Sequence, residues 1–169
     1  MKLLSKINLL LLALLVLPLN NLFAQQVWDT GAQTQFKTEL VSLLKSCHNN
    51  FVDVKGKAAG NTKEGIKKYE STEKLLGFKT FILQLADSSY KLSATLKIDE
   101  ESDDMDTVED MLKQIAGYKV YDSDEDENTE APDNADRILL VKSTDDPAYI
   151  KIIQYSKNDS YITIEIAKK

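Results

Sequence analysis

Between Tyr90 and Ile98 the chain alternates without a break: Tyr90, Leu92, Ala94, Leu96 and Ile98 are apolar, and Lys91, Ser93, Thr95 and Lys97 between them are polar. Successive side chains of a strand point to opposite faces, so this segment requires a sheet with one dry face and one wet face. An antiparallel sheet covered on one side satisfies that requirement. The cover must come from elsewhere in the chain, and the residues after Phe36 supply it. Leu40, Val41, Leu43, Leu44, Cys47 and Phe51 fall at helical spacing, with Lys37, Glu39, Ser42, Lys45 and His48 between them. This stripe predicts an amphipathic helix over roughly 33–49.

The order of events then occurs twice. Asn49-Asn50 ends the first helix, Phe51 to Val54 reads as a short strand, and Gly56 to Gly65 reads as a loop. Strands are predicted over Lys67 to Leu75, Phe78 to Leu85 and Tyr90 to Ile98. In the second half Asp103-Asp104 occupies a helix start, Met105, Val108, Met111, Leu112 and Ile115 form a second stripe, and Gly117 ends it. A short strand over Tyr118 to Tyr121, an acidic loop over Asp122 to Asp136, and strands over Arg137 to Lys142, Tyr149 to Tyr155 and Tyr161 to Ala167 follow. An ungapped shift of 71 sets Leu40 on Met111, Leu44 on Ile115, Phe78 on Tyr149 and Tyr90 on Tyr161, dividing the chain into 28–98 and 99–169. The same shift sets Leu92 against Thr163, whereas the last strand is apolar at Ile162, Ile164 and Ile166, so a slip of one residue is required there.

A unit of about 70 residues is marginal alone, and two units sharing a sheet would form one core. The predicted fold is α+β: two similar helix-plus-antiparallel-strand units giving about eight strands, with two helices on one face, as one domain over 25–169. In element order this resembles the tandem helix-plus-four-strand layout of the secreted β-lactamase inhibitor proteins. It also resembles small exported bacterial proteins that have no assigned function. The resemblance is one of layout and implies no site residue.

Export is expected from the first residues. Lys2 and Lys6 precede an apolar run from Leu9 to Leu17, Pro18, Asn20 and Asn21 break it, and Leu22-Phe23-Ala24 closes it. That is the layout of a signal peptide over 1–24, cleaved after Ala24, which implies a periplasmic or extracellular location. The run is shorter than the roughly 20 residues that span a bilayer, so no membrane span is expected after cleavage. The net charge of −6 over 169 residues becomes −8 over the remaining 145. The segment from Asp99 to Asp136 alone carries −14, leaving +6 elsewhere. The bulk sign argues against nucleic acid as a partner.

Four features bear on chemistry. Cys47-His48 pairs a thiol with a base, but neighbours on a helix point about 100° apart, and Cys47 continues the apolar stripe, which predicts burial. An exposed Cys47 would instead allow a disulfide-linked dimer. In the acidic loop Asp122, Asp124, Asp126 and Asn128 place oxygens at every second position, with Asp133 at the twelfth, an arrangement approaching a Ca²⁺ loop. Glu127 stands where such a loop needs glycine, so the expectation is loose Ca²⁺ association, a solvated excursion, or steering of a basic partner. Tyr149, Lys151, Ile153 and Tyr155 alternate onto one strand face, where tyrosines with a lysine make an interaction surface. Trp28 either clamps the N-terminal segment or stands exposed. One His and one Cys leave no His/Cys metal set or triad legible. These features predict a non-enzymatic exported module that binds another protein. The alternatives are a small-ligand or Ca²⁺-binding module, and an enzyme whose site only the fold assembles.

Overall fold

The computed structural model of the chain describes residues 28–98, 102–122, 132, 134–155 and 160–168. Helix α1 spans Thr30–His48. Asp29 caps it by accepting the Ala32 N–H at 2.7 Å. At its other end the chain reverses through Asn50 and Phe51, with φ of 53° and 56°. The Phe51 N–H closes onto the Ser46 carbonyl at 2.9 Å, and the Phe51 ring is fully buried beneath the turn. That burial offsets a backbone conformation which costs a non-glycine residue about 1 kcal/mol. Strands β1 (Lys55–Asn61), β2 (Lys67–Ser71), β3 (Lys79–Gln84) and β4 (Tyr90–Lys97) follow. Helix α2 (Asp104–Lys113) then leads into β5 (Lys119–Asp122), β6 (Arg137–Lys142), β7 (Ala148–Tyr155) and β8 (Tyr161–Lys168).

The strands form one antiparallel sheet in the order β1-β2-β3-β4-β8-β7-β6-β5. Each half is a four-strand meander, and the halves join where β4 pairs with β8. Leu92 lies opposite Ile166, Ala94 opposite Ile164 and Leu96 opposite Ile162, all on the dry face. Directly opposed residues of two antiparallel strands are related by a twofold axis normal to the sheet, and this one passes between Ala94 and Ile164. Equivalent positions must then differ by an even number. Leu92, Ala94 and Leu96 correspond in burial to Ile162, Ile164 and Ile166, an offset of 70, which is the slip of one residue from 71 that the last strand required. The same offset matches the β2–β3 pair Tyr69–Ile82 to the β6–β7 pair Leu139–Ile152, whereas the β3–β4 register matches that of β7–β8 at 71, so no single offset relates the two halves.

The helices do not follow that twofold axis. Both lie on the dry face, where Phe36, Leu40, Leu43, Leu44 and Cys47 of α1 and Met105, Val108, Met111 and Leu112 of α2 join the sheet in one core. The Trp28 indole N–H, just ahead of α1, donates to Asp104 at the start of α2 at 2.7 Å. Lys37 donates to Gln114, just beyond α2, at 2.8 Å. The helices therefore run side by side in one direction, whereas the axis would oppose them. α1 crosses onto β7 and β8 of the other half, and α2 packs against β5. Trp28 is the clamp, held edge-on against Phe36 at 5.4 Å between ring centres.

Two expectations about the first half need correction. Phe51 to Val54 is a turn in the core, with Phe51 and Val54 both buried, not a strand. The Gly-rich segment holds β1 rather than a loop. A Cβ on Gly56 would meet the Glu70 carbonyl oxygen at 3.1 Å, and Gly60 has a φ of +89°. The register slips twice along β1–β2. An edge strand of this kind is held by backbone pairing to β2, so its side chains show no alternation.

Ile164 lies at the seam with no exposed surface. Ile164→Ala should cost about 3 kcal/mol of unfolding free energy, within the usual range for emptying a buried aliphatic site. The measurement is the shift in urea midpoint at unchanged m-value, and a loss under about 1 kcal/mol would show that the seam is not tightly packed.

Candidate functional site

Among the described residues no helix covers the sheet face opposite α1 and α2. On β7 the residues there are Tyr149, Lys151, Ile153 and Tyr155, as the sequence pattern implied. Register puts them beside β8, with Ile153 opposite Thr163, Lys151 opposite Glu165, Tyr149 opposite Ala167 and Tyr155 opposite Tyr161. Ile153 is buried among its neighbours, while Tyr149, Lys151 and Tyr155 are half-buried. The rings of Tyr155 and Tyr161 stack with centres 4.5 Å apart at 23°. Burial, then the neighbouring Tyr161 and Glu165, push the Tyr155 hydroxyl above its ordinary pKa. Glu165 is ion-paired to Lys91 of β4 across the seam. In the first half Lys68 and Lys79 sit over the Phe81 ring, 4.5 and 5.6 Å from its centre.

The lysines of this face could not be grouped from the sequence, because register decides which ones share it. Lys68, Lys79, Lys91 and Lys97 stand on β2 to β4, and Lys119, Lys142 and Lys151 on β5 to β7. Among the described residues only Glu70 and Glu165 oppose them on the strands of this face. A chain of net −6 thus presents a basic sheet face.

The candidate Ca²⁺ residues separate. Asp124, Asp126, Asn128 and Asp133 lie outside the described residues, and Asp122 ends β5. Asp122 also lies in the field of Arg137. Arg137 is bound to Asp106 at 2.8 Å and to Glu109 at 2.6 Å. Lys113 pairs with Glu109 and Asp110. Asp104 accepts the Trp28 indole N–H, so several carboxylates of the acidic segment bind α2 to the rest of the molecule. Among the described residues no group of three His, Cys, Asp or Glu side chains is placed to hold a metal ion.

Cys47 and His48 diverge as helix geometry requires. Cys47 lies in the core, and burial pushes its thiol up to about 11, with Lys168 lowering it and Asp146 raising it. His48 faces outward, its Nε2 2.7 Å from Asp146 Oδ1. Asp146 is the hub of this corner: it accepts the Ala148 N–H at 2.7 Å and the Tyr118 hydroxyl at 2.6 Å, and Lys168 donates to the His48 carbonyl. Burial alone would raise the Asp146 pKa. The hydrogen bonds from Tyr118, Ala148 and His48 outweigh it and hold the carboxyl below its usual range. Burial and the bond to Asp146 push the Tyr118 hydroxyl up. Sequence reading missed Asp146 and Tyr118 as partners of His48. Asp146 is 98 residues away, and the Asp145-Asp146-Pro147 run signals only a turn. The cluster fastens the end of α1 to the β6–β7 turn, and its described contacts include no nucleophile beside the imidazole.

A depression of about 350 Å³ lies between the β1–β2 and β3–β4 turns, with Glu64, Lys67, Gln84 and Ser88 as its polar side chains. No described helix is long and apolar enough to cross a membrane. Comparison with protein-family models, with characterised proteins and with solved structures found no match.

Two outcomes follow from the corner cluster. Native protein should fail to react with a disulfide-exchange reagent at pH 8 and should release one thiol on denaturation; fast native reaction would show Cys47 to be accessible. Asp146→Asn should lower stability by about 1–2 kcal/mol at neutral pH through weakened hydrogen bonds to a charged acceptor. The carboxyl has a lowered folded pKa. Its contribution is therefore present above the unfolded value near 4 and is lost as pH falls through the folded value. Wild-type and variant denaturation curves should converge toward pH 3, and a constant gap would rule out the charged carboxylate as the cause.

Proposed function

We propose that the protein is a non-enzymatic module that binds another protein through the helix-free face of its sheet. The supporting observation is the arrangement of Tyr149, Lys151, Ile153 and Tyr155 beside Tyr161, Thr163 and Glu165 on that face. A buried aliphatic centre ringed by half-buried tyrosines and charged groups has the composition of a recognition surface, in which aromatic rings supply rigid contact area. This reading takes residues 1–24 as a removed signal, 25–169 as one domain of two related units, and the partner as periplasmic or extracellular. Among the described residues the titratable clusters serve attachment: His48–Asp146–Tyr118 and Arg137–Asp106–Glu109 each tie a helix to the sheet or its turns. That use favours a binding role over an enzymatic one.

The test is site-specific photo-crosslinking in cells that produce the protein. A benzophenone amino acid in place of Tyr149 should give a discrete adduct with a second protein. The same probe in place of Lys45, exposed on α1, should give none. Adducts from Lys45 alone, or from neither position, would overturn the proposal.

A further inference from the structure

The partner's chemistry can be taken further, resting on the proposal that the helix-free face binds a protein. From the charge and aromatic placement on that face we infer that it docks a carboxylate-rich acidic segment of the partner. Lys97, Lys142 and Lys151 have partners within the chain, so the inference is carried by Lys68, Lys79 and Lys119. Lys79 and Lys119 are exposed, and Lys68 is half-buried. Lys68 and Lys79 converge on Phe81, which fixes two ammonium groups over one apolar ring near the β2–β3 edge of the face. Lys119 sits on β5, at the opposite side of the sheet. Strands lie about 4.8 Å apart, so these charges span roughly 30 Å, a length suited to an extended acidic chain running across the strands.

Nucleic acid is the obvious competitor for a basic face carrying aromatic rings, and of those rings Tyr121 and Tyr149 are the ones not engaged by another ring or a lysine. Bases stack on open aromatic faces. Tyr155 and Tyr161 stack on each other, and the Phe81 ring is occupied by two lysines. The face is also built of lysines. The chain's arginine in the described sheet, Arg137, is engaged by Asp106 and Glu109 of α2. Bidentate recognition of phosphate uses the fixed fork of arginine, and that fork is committed within the chain.

The experiment is fluorescence anisotropy of the full chain with a labelled oligoglutamate peptide and with an oligothymidine of equal formal charge. Oligoglutamate should bind at low salt, weaken at least tenfold as salt is raised to 0.5 M, and bind more tightly than oligothymidine. Lys68→Glu combined with Lys79→Glu should weaken oligoglutamate binding tenfold or more. Lys119→Glu alone should weaken it by a smaller factor, with far-UV circular dichroism showing both variants folded. No binding to the wild-type chain, no change in the folded variants, or tighter oligothymidine binding would overturn the inference. So would a salt-sensitive dimer in sedimentation that the double variant abolishes, because the occupant would then be a second copy. A Tyr149 adduct that survives the double reversal would overturn the acidic partner and leave face binding standing. Oligoglutamate binding without any adduct would overturn the protein-binding proposal instead.

Discussion

The pairing of β4 with β8 is the contact on which the rest depends. Without it the chain would be two four-strand meanders, each too small to bury its own helix. With it Leu92, Ala94 and Leu96 and Ile162, Ile164 and Ile166 form a continuous apolar floor, and α1 lies across β8 and β7 of the opposite half. Register at the seam also determines what happens on the reverse side. It sets Ser93 opposite Glu165 and brings Lys91 within reach of that carboxylate. The hydrophobic requirement on one face therefore dictates the polar neighbours on the other.

Legibility in the sequence followed the physics of each element. β4 could be read because a half-buried strand must alternate, and the row Tyr149, Lys151, Ile153 and Tyr155 could be read for the same reason. β1 could not. Its stability comes from hydrogen bonds to β2, and Lys, Gly and Ala along it bury nothing that periodicity can register. The Phe51 to Val54 run misled in the opposite sense, since three apolar residues around Asp53 fit a strand or a buried turn equally well. The shift of 71 came from matching residue types. Burial at the β4–β8 seam and the β2–β3 register fit 70, the β3–β4 register fits 71, and the helices, which carried part of the sequence match, follow no twofold at all.

Charge shows the same division between what composition displays and what topology assembles. The acidic segment stands out in the sequence, yet Asp104, Asp106 and Glu109 are used internally, on an indole and a guanidinium. The lysines lie on both sides of that segment, and those of the first half read from the sequence as an ordinary exposed strand face. Only strand order collects them onto one face. His48 gives a sharper case: its polar position on the helix was evident, but its partner is brought to it by the β6–β7 turn.

The two outer strands limit how such a sheet can meet other molecules. β1 carries glycines, lysines and a register that slips twice, and β5 is four residues long. Neither offers a straight run of unpaired backbone groups onto which a further strand could be laid. Among the described residues both edges therefore disfavour extension of the sheet, whether by a partner's strand or by a copy of itself. Contact is thereby directed to side chains, which can be altered singly without redrawing the backbone, so specificity in this scaffold can change while its architecture stays the same.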